Sequence, residues 1–348
     1  MGKLSPIQFI KNQRKTPLPV NERDLSGQVV IVTGSNTGLG FEAAKHFARM
    51  KPEKLILACR NQKKAEVALK ELREETGYAG GDVWMLDQGD LSSVVSFAEK
   101  FNKDVSRLDV LVANAGISTS KYEATKDGYE STVQVNHLAT ALLSLLLLPK
   151  MAATKALPGA NTPRLTIVSS ETHFWSSFDE DLMKSDNFLE TLASKDYSND
   201  ARMGGRYMQS KLLNVFFTRS LASHLPLTSS APVIINTVNP GLCNSSLMSS
   251  PDTPWYVVAA TSAMTYLIAR TTEVGSRQLV WAALEGTGEE VHGAYCSDFG
   301  VEEPADLVLS NEGLEKRIWD ETISLLEKVE PKVGDVVRQL KGGQLGRV

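Results

Sequence analysis

Cysteine is scarce in this chain. There are three in 348 residues, Cys59, Cys243 and Cys296, odd in number and widely spaced. That excludes a disulfide framework and points to a reducing, cytoplasmic compartment. The five histidines fall at no ligand spacing, so no metal site is expected. A net charge of −4 leaves no broad basic face, and nucleic acid is not expected as a partner. Long apolar runs are also missing. The longest, Leu138 to Leu148, is about half the ~20 residues that span a bilayer. It reads as a buried core helix, and no integral membrane segment is expected. Residues 1–10 are too polar for a signal peptide. No linker or low-complexity stretch interrupts a composition of 42% hydrophobic and 22% charged residues, ordinary for a globular protein.

Short β-branched runs alternate with helical patterns along the chain. Val29–Thr33, Leu55–Ala58, Val83–Leu86, Val110–Ala113, Leu165–Val168, Val233–Val238 and Ala294–Cys296 read as strands. Gly40–Met50, Lys63–Thr76, Val94–Phe101, Tyr129–Met151 and Tyr207–His224 read as the helices between them. This alternation predicts an α/β fold, a single Rossmann-type doubly wound parallel sheet of about seven strands with helices on both faces. The domain is expected over 28–300. It is preceded by an arm, 1–27, made partly irregular by Pro6, Pro17 and Pro19, and followed by a helical extension, 301–348, with a packed helix over Leu314–Val329. The arm has two open placements, across the domain or against a membrane, and a surface arm is the plainer reading.

Thr33-Gly34-Ser35-Asn36-Thr37-Gly38-Leu39-Gly40 joins the first strand to the first long helix. Its glycine spacing is not G-x-G-x-x-G, but the mechanics are similar. Gly34 permits a tight turn, Gly38 lets the backbone approach a pyrophosphate, and Gly40 lets the helix start close to the sheet. The helix N-terminus then offers free N–H groups to phosphate. An NAD site usually carries a carboxylate near the end of the second strand. Positions 58–64 hold none. Arg60 stands there with Lys63 and Lys64 behind it, and a guanidinium suits a 2′-phosphate. The cofactor expected is NADP(H) rather than NAD(H).

Tyr207 and Lys211 are four residues apart in Tyr207-Met208-Gln209-Ser210-Lys211, so one helix face carries both. An ammonium beside a phenol favours the phenolate and lowers a pKa that is ordinarily near ~10. Such a pair is also common as a plain surface pair. His137 reads as a core or surface helix residue; His173 as a pocket or loop residue.

With these residues in hand, the chain resembles the short-chain dehydrogenase/reductase family over roughly 28–299. Thr33 to Gly40 matches its T-G-x-x-x-G-x-G turn, Asn114-Ala115-Gly116 its N-A-G element, and Pro240-Gly241 its P-G turn beside the nicotinamide. Asn136, Ser170, Tyr207 and Lys211 match its Asn-Ser-Tyr-Lys tetrad. Ala58-Cys59-Arg60 and the tail containing Trp319 look most like the retinol-dehydrogenase and protochlorophyllide-reductase-like branch, particularly fungal members. The resemblance implies Tyr207 as general acid in reduction and base in oxidation. It implies Ser170, rather than the adjacent Ser169, as the donor orienting the substrate oxygen. Lys211 is implied on the nicotinamide ribose, and Asn136 on a water linking Lys211 to solvent. Asp87, with Gln88, is implied at the adenine; register to Phe97 favours it over Asp90-Leu91. Leu242 and Ser245 follow the P-G turn as cofactor contacts, Ser245 standing where relatives usually have Thr. Relatives pair through the helices bearing Asn136 and Tyr207, so the chain is expected as a monomer or homodimer.

The segment 171–206 makes the gap from Ser170 to Tyr207 long, and it is expected as a flap by the substrate mouth. Relatives carry a mobile substrate lid after the P-G turn, here 242–262. His173, Phe174, Trp175 and Phe178, with Leu242, Leu247, Met248, Trp255 and Tyr256, suggest an apolar pocket for a bulky lipophilic ketone, aldehyde or alcohol. Packing against the core explains the same residues equally well. Terpenoid, polyketide, retinoid-like and steroid-like substrates are all open. A C=C reductase or a non-catalytic NADP(H)-binding sensor on the same fold are the alternatives.

Overall fold

The computed structural model describes residues 4–228, 232–245, 247 and 268–345. Trp255, Met248, Tyr256 and most of the expected lid lie outside the described residues. The strands are β1 (Val29–Thr33), β2 (Lys54–Cys59), β3 (Gly81–Met85), β4 (Val110–Ala113), β5 (Arg164–Val168), β6 (Ile234–Val238), β7 (Tyr295–Ser297) and β8 (Gly300–Glu302). They form one sheet in the order β3-β2-β1-β4-β5-β6-β7-β8, parallel up to β7. The long helices are α1 (Pro6–Gln13), α2 (Gly38–Arg49), α3 (Gln62–Thr76), α4 (Leu91–Asp104), α5 (Ala139–Lys155), α6 (Arg206–His224), α7 (Thr272–Leu284), α8 (Glu312–Val329) and α9 (Lys332–Lys341).

Continuous β-branched runs make the central strands because both faces are covered. Ile31 points into the core shared with α4, α5 and α6, while Val30 and Val32 point into the core shared with α2, α3 and α7. Helix α3 is bounded by its own chemistry. The Asn61 side chain accepts from Lys64 N at its start, and Gly77 closes it at φ +69°. The strand order reverses between β1 and β4, which opens a crevice beyond their C-terminal ends.

Three features go beyond the sequence reading. An eighth strand runs antiparallel to β7, joined by Asp298-Phe299 at φ +48° and +61°. Both positive φ values suit the right-handed twist of a two-residue hairpin, but the pair lacks the Asn-Gly or Asp-Gly signature that would betray it. The helix expected over 129–151 is interrupted. A short helical turn, Ser131–Val133, passes through a π-helical turn, Gln134–Leu138, into α5. Taken together, Ser131–Lys155 is long and apolar enough to cross a membrane, and its apolar window is wholly buried in the fold. The arm is not irregular throughout. Ser5 caps α1 by accepting from Gln8 N, Pro6 occupies its first position, and Leu4 is buried in the core.

Segment 171–206 folds into four short helices, Glu171–Trp175, Glu180–Lys184, Phe188–Leu192 and Asp200–Met203. Residues 183–190 are anchored to α8. Phe188, Leu189 and Leu192 are buried, Leu189 N donates to Glu321, and Arg317 donates to Met183 O. Helix α8 covers α6, with Trp319 stacked on Phe217 at 5.8 Å and on His224 at 4.6 Å. Helix α9 packs on α5.

Candidate active site

Four strand ends meet at the crevice. Gly34 follows β1 at φ +63°, and a Cβ there would stand 2.9 Å from Ala115 Cα. A Cβ on Gly40 would meet Asn114 Nδ2 at 2.5 Å and Gly34 O at 2.6 Å, so both turns close only with glycine. Gly38, at φ +62°, has nothing within 4 Å of its missing side chain. Thr37 makes no side-chain cap to α2, and no acidic residue sits in the first turn. Asn36, Thr37, Gly38 and Leu39 therefore present an open, uncapped helix start, which fits a pyrophosphate. The turn is braced by β4. Thr33 Oγ1 accepts from Asn114 N (3.0 Å) and Ala115 N (2.9 Å), and Asn114 Nδ2 donates to Thr33 O (2.9 Å).

The end of β2 lies against the same turn. Gly34 N donates to Ala58 O, and Ser35 Oγ touches Cys59 Sγ at 3.7 Å. Arg60 is the next residue; it is exposed and forms no ion pair among the described residues. At the end of β3, Asp87 Oδ1 accepts from Gly89 N and remains partly exposed. Asp90 is the N-cap of α4, paired with Lys126 and held at about 2 chiefly by that hydrogen bond. Gln88 departs from expectation. Its amide is buried and its N–H₂ donates to Val135 O and Thr140 Oγ1, so the side chain ties β3 to the π-turn.

The tetrad residues converge from three elements. Asn136, in the π-turn, accepts from Ile117 N (2.8 Å) and donates to Ile117 O and Ser210 Oγ (2.9 Å each). Lys211 Nζ donates to Val168 O at 2.9 Å, and the side chain is buried. A Cβ on Gly116 would lie 3.2 Å from Asn136 Oδ1 and 3.5 Å from Lys211 Nζ, so the N-A-G element passes directly beside both. Ser169 is spent structurally, its buried hydroxyl donating to Lys211 O. Ser170, one residue on, hydrogen-bonds the Tyr207 phenol. Lys211 Nζ sits 5.5 Å from the Tyr207 ring centre.

Electrostatics correct one expectation. Burial is the largest influence on Tyr207 and pushes its phenol above the ordinary value, with the Ser170 hydrogen bond opposing. Lys211, whose ammonium donates to Val168 O, is not what moves it. Burial instead pulls Lys211 down to about 8. Burial thus moves both groups toward their neutral forms.

Beyond β6, Gly241 turns at φ +78°, with its N–H on Asn239 Oδ1. Pro240, Leu242, Ser245 and Leu247 follow around this turn, and Leu242 O accepts from Arg270 N. His173 does not line a pocket. Its ring is fully buried, Nδ1–H donates to Ser170 O (2.7 Å), and Nε2 accepts from Ala305 N (3.2 Å). Burial holds it neutral, down to about 4. It ties the backbone of Ser170 to the C-terminal extension. Phe174 is buried against His173 and Tyr295. Trp175 is half-exposed and donates its indole N–H to Leu4 O.

The sequence reading missed Glu130 and Arg206. Both are fully buried, 3.6 Å apart. The Glu130 carboxylate also accepts from Thr132 N and Val133 N, capping the helix that carries Asn136, while Arg206 directly precedes Tyr207. No periodicity marks them; only the position of Glu130 before Ser131-Thr132-Val133 hints at a cap.

A family model described as short chain dehydrogenase matches residues 28–170. The chain is 37% identical over 330 residues to the short chain dehydrogenase/reductase dmxR8 of Cryptosporiopsis sp., covering 93% of this chain and 98% of that one. It is 40% identical over 284 residues to the short chain dehydrogenase atnD of Emericella nidulans, covering 81% and 87%. Among solved structures, an uncharacterized protein from Mycobacterium Paratuberculosis superposes with a TM-score of 0.63 at 27% identity, covering 90% of this chain and 98% of that one. Near-full-length similarity to fungal enzymes, on a sheet that brings the glycine turn and the Tyr207 helix to one crevice, places the chain in the short-chain dehydrogenase/reductase family.

Proposed function

We propose that the chain is an NADP(H)-dependent oxidoreductase that interconverts a lipophilic ketone or aldehyde and its alcohol. The observation that carries the reading is the convergence of Tyr207, Ser170, Lys211 and Asn136 beside Gly116, at the strand ends that bear the glycine turn. The open turn from Gly34 to Gly40 would hold the pyrophosphate, Arg60 the 2′-phosphate and Asp87 the adenine. Asn114, Ala115, Gly116 and Lys211 would hold the nicotinamide half, with Pro240, Gly241, Leu242 and Ser245 on its far side. When bound, the nicotinamide supplies or accepts the hydride.

The chain's own residues handle the proton. Tyr207, kept protonated by burial, donates from its phenol to the substrate oxygen as the alcohol forms. Ser170 donates to the same oxygen and orients it. Lys211, held down to about 8 by burial, stands beside the phenol and would bond the nicotinamide ribose.

The test is Tyr207→Phe. NADPH binding should persist within about threefold, while turnover on a carbonyl panel falls by roughly 10²–10⁴, the contribution of a positioned acid. Retained turnover would identify another acid. Binding by the unaltered chain without turnover on any carbonyl would favour a sensor, and a saturated product from an enone would favour C=C reduction.

A further inference from the structure

Nothing N-terminal of Gly34 takes part in the chemistry above, yet the arm is built into the wall of the crevice. Leu4 is buried, and its carbonyl accepts from the Trp175 indole. Phe9 meets the Trp175 ring edge-on at 5.5 Å. The far end of α1 is latched by Arg270, whose guanidinium donates to Asn12 O (2.7 Å) and Asp298 Oδ1 (2.9 Å), and Lys15 pairs with Asp298 at 2.9 Å. This latch lays Gln13 on the P-G turn. Gln13 Oε1 stands 2.9 Å from where a Cβ on Gly241 would be. The residue is only 7% exposed, and its Nε2 is buried with no hydrogen-bond partner among the described residues. The register Val168↔Val238 sets Ser170 and Pro240 side by side at the ends of neighbouring strands, so Gln13 lies against the turn next to the strand end that carries Ser170.

An amide N–H₂ is a donor, and a buried one without a partner is rare in native chains unless another group completes it. We infer that the N-terminal arm is part of the active site, and that Gln13 is a positioning residue whose amide donates to a carbonyl oxygen at the nicotinamide end. The inference rests on the NADP(H) reading. A carbonyl oxygen has two sources there, the carboxamide of the cofactor and the ketone of the substrate.

The experiment titrates NADPH and 2′,5′-ADP, which lacks the nicotinamide, against the unaltered chain, Gln13→Leu and Gln13→Glu, with KM measured for a ketone that is turned over. If Gln13 serves the cofactor, the NADPH Kd rises about 5- to 30-fold, the worth of one hydrogen bond, and ketone KM holds. If it serves the substrate, ketone KM rises by that factor and the NADPH Kd holds. In both cases the 2′,5′-ADP Kd stays within about twofold, which a collapsed fold would not permit. Gln13→Glu preserves shape and removes the donor, so it decides the matter if Gln13→Leu does not fold. Variants that bind NADPH and turn over ketone like the unaltered chain overturn the inference and leave the NADP(H) reading standing. Equal weakening of 2′,5′-ADP in both variants also overturns it. An unaltered chain that binds neither nucleotide removes the NADP(H) reading and the inference with it.

Discussion

Glu130→Gln should be among the most damaging isosteric changes available in this chain. The substitution keeps the volume and removes one charge. Arg206 would be left fully buried, with Ser198 Oγ at 3.0 Å, Gln209 Oε1 at 3.4 Å and the Tyr197 ring as its remaining neighbours, none of them anionic. Glu130 also accepts two backbone N–H groups, one on each carboxylate oxygen, and an amide offers only one acceptor. Removing one partner of a buried pair costs about 3–5 kcal/mol. At about 2 °C per kcal/mol for a chain of this size, Tm should fall by roughly 6–10 °C. Removing both charges as Glu130→Gln with Arg206→Met should recover at least about 2 kcal/mol of that loss, because the uncompensated cation is gone. The pair also clamps the residue before Tyr207 to the cap of the turn that carries Asn136. Turnover should therefore fall further in the single variant than its folded fraction explains. Thermal and urea melts of the two singles and the double form the cycle. A single-variant cost below about 1 kcal/mol, or a double no more stable than Glu130→Gln, would refute the reasoning.

Thr33→Val removes the acceptor of Ala115 N and one of the two acceptors of Asn114 N, the other being Val112 O. It should cost about 1–3 kcal/mol in urea melts and weaken NADPH binding together with stability. Arg60→Ala should raise the NADPH Kd about 10- to 100-fold in a fluorescence titration and leave NADH unchanged within about twofold, the difference belonging to the 2′-phosphate. Acid should unfold the protein through His137 and His173. Each is held at about 4 by burial against 6.5 in the unfolded chain, so each contributes about 3 kcal/mol that is fully present above pH 6.5 and lost as pH falls through 4. Melts between pH 7 and 4 should show that loss, and His173→Gln should flatten part of it.

Much of this protein was legible because its signals are local. A β-branched run buried on both faces declares a strand, and a glycine turn between strand and helix declares a phosphate cradle. The Tyr207–Lys211 spacing declares one helix face. What stayed hidden depends on residues far apart in the chain. Gln88 at the end of a strand looked available, but its amide is taken by Val135 and Thr140, some fifty residues away. His173 beside Ser170 looked like a pocket residue, but its second nitrogen is claimed by Ala305. The buried Glu130–Arg206 pair follows no periodicity, since a charge inside is permitted only by its partner.

The sequence by itself therefore determined the strand–helix alternation, the glycine turn, the order of the tetrad and the missing carboxylate near Arg60. Each of these is set by backbone sterics or by side-chain chemistry within a few residues. Tertiary structure alone decided that the Tyr207 phenol is pushed up and the Lys211 ammonium down, because both answer to burial, which spacing does not reveal. It also turned the proline-bearing arm into a wall over Gly241. That placement is held by Arg270 and Asp298, more than 250 residues downstream, and no local pattern in the first fifteen residues encodes it.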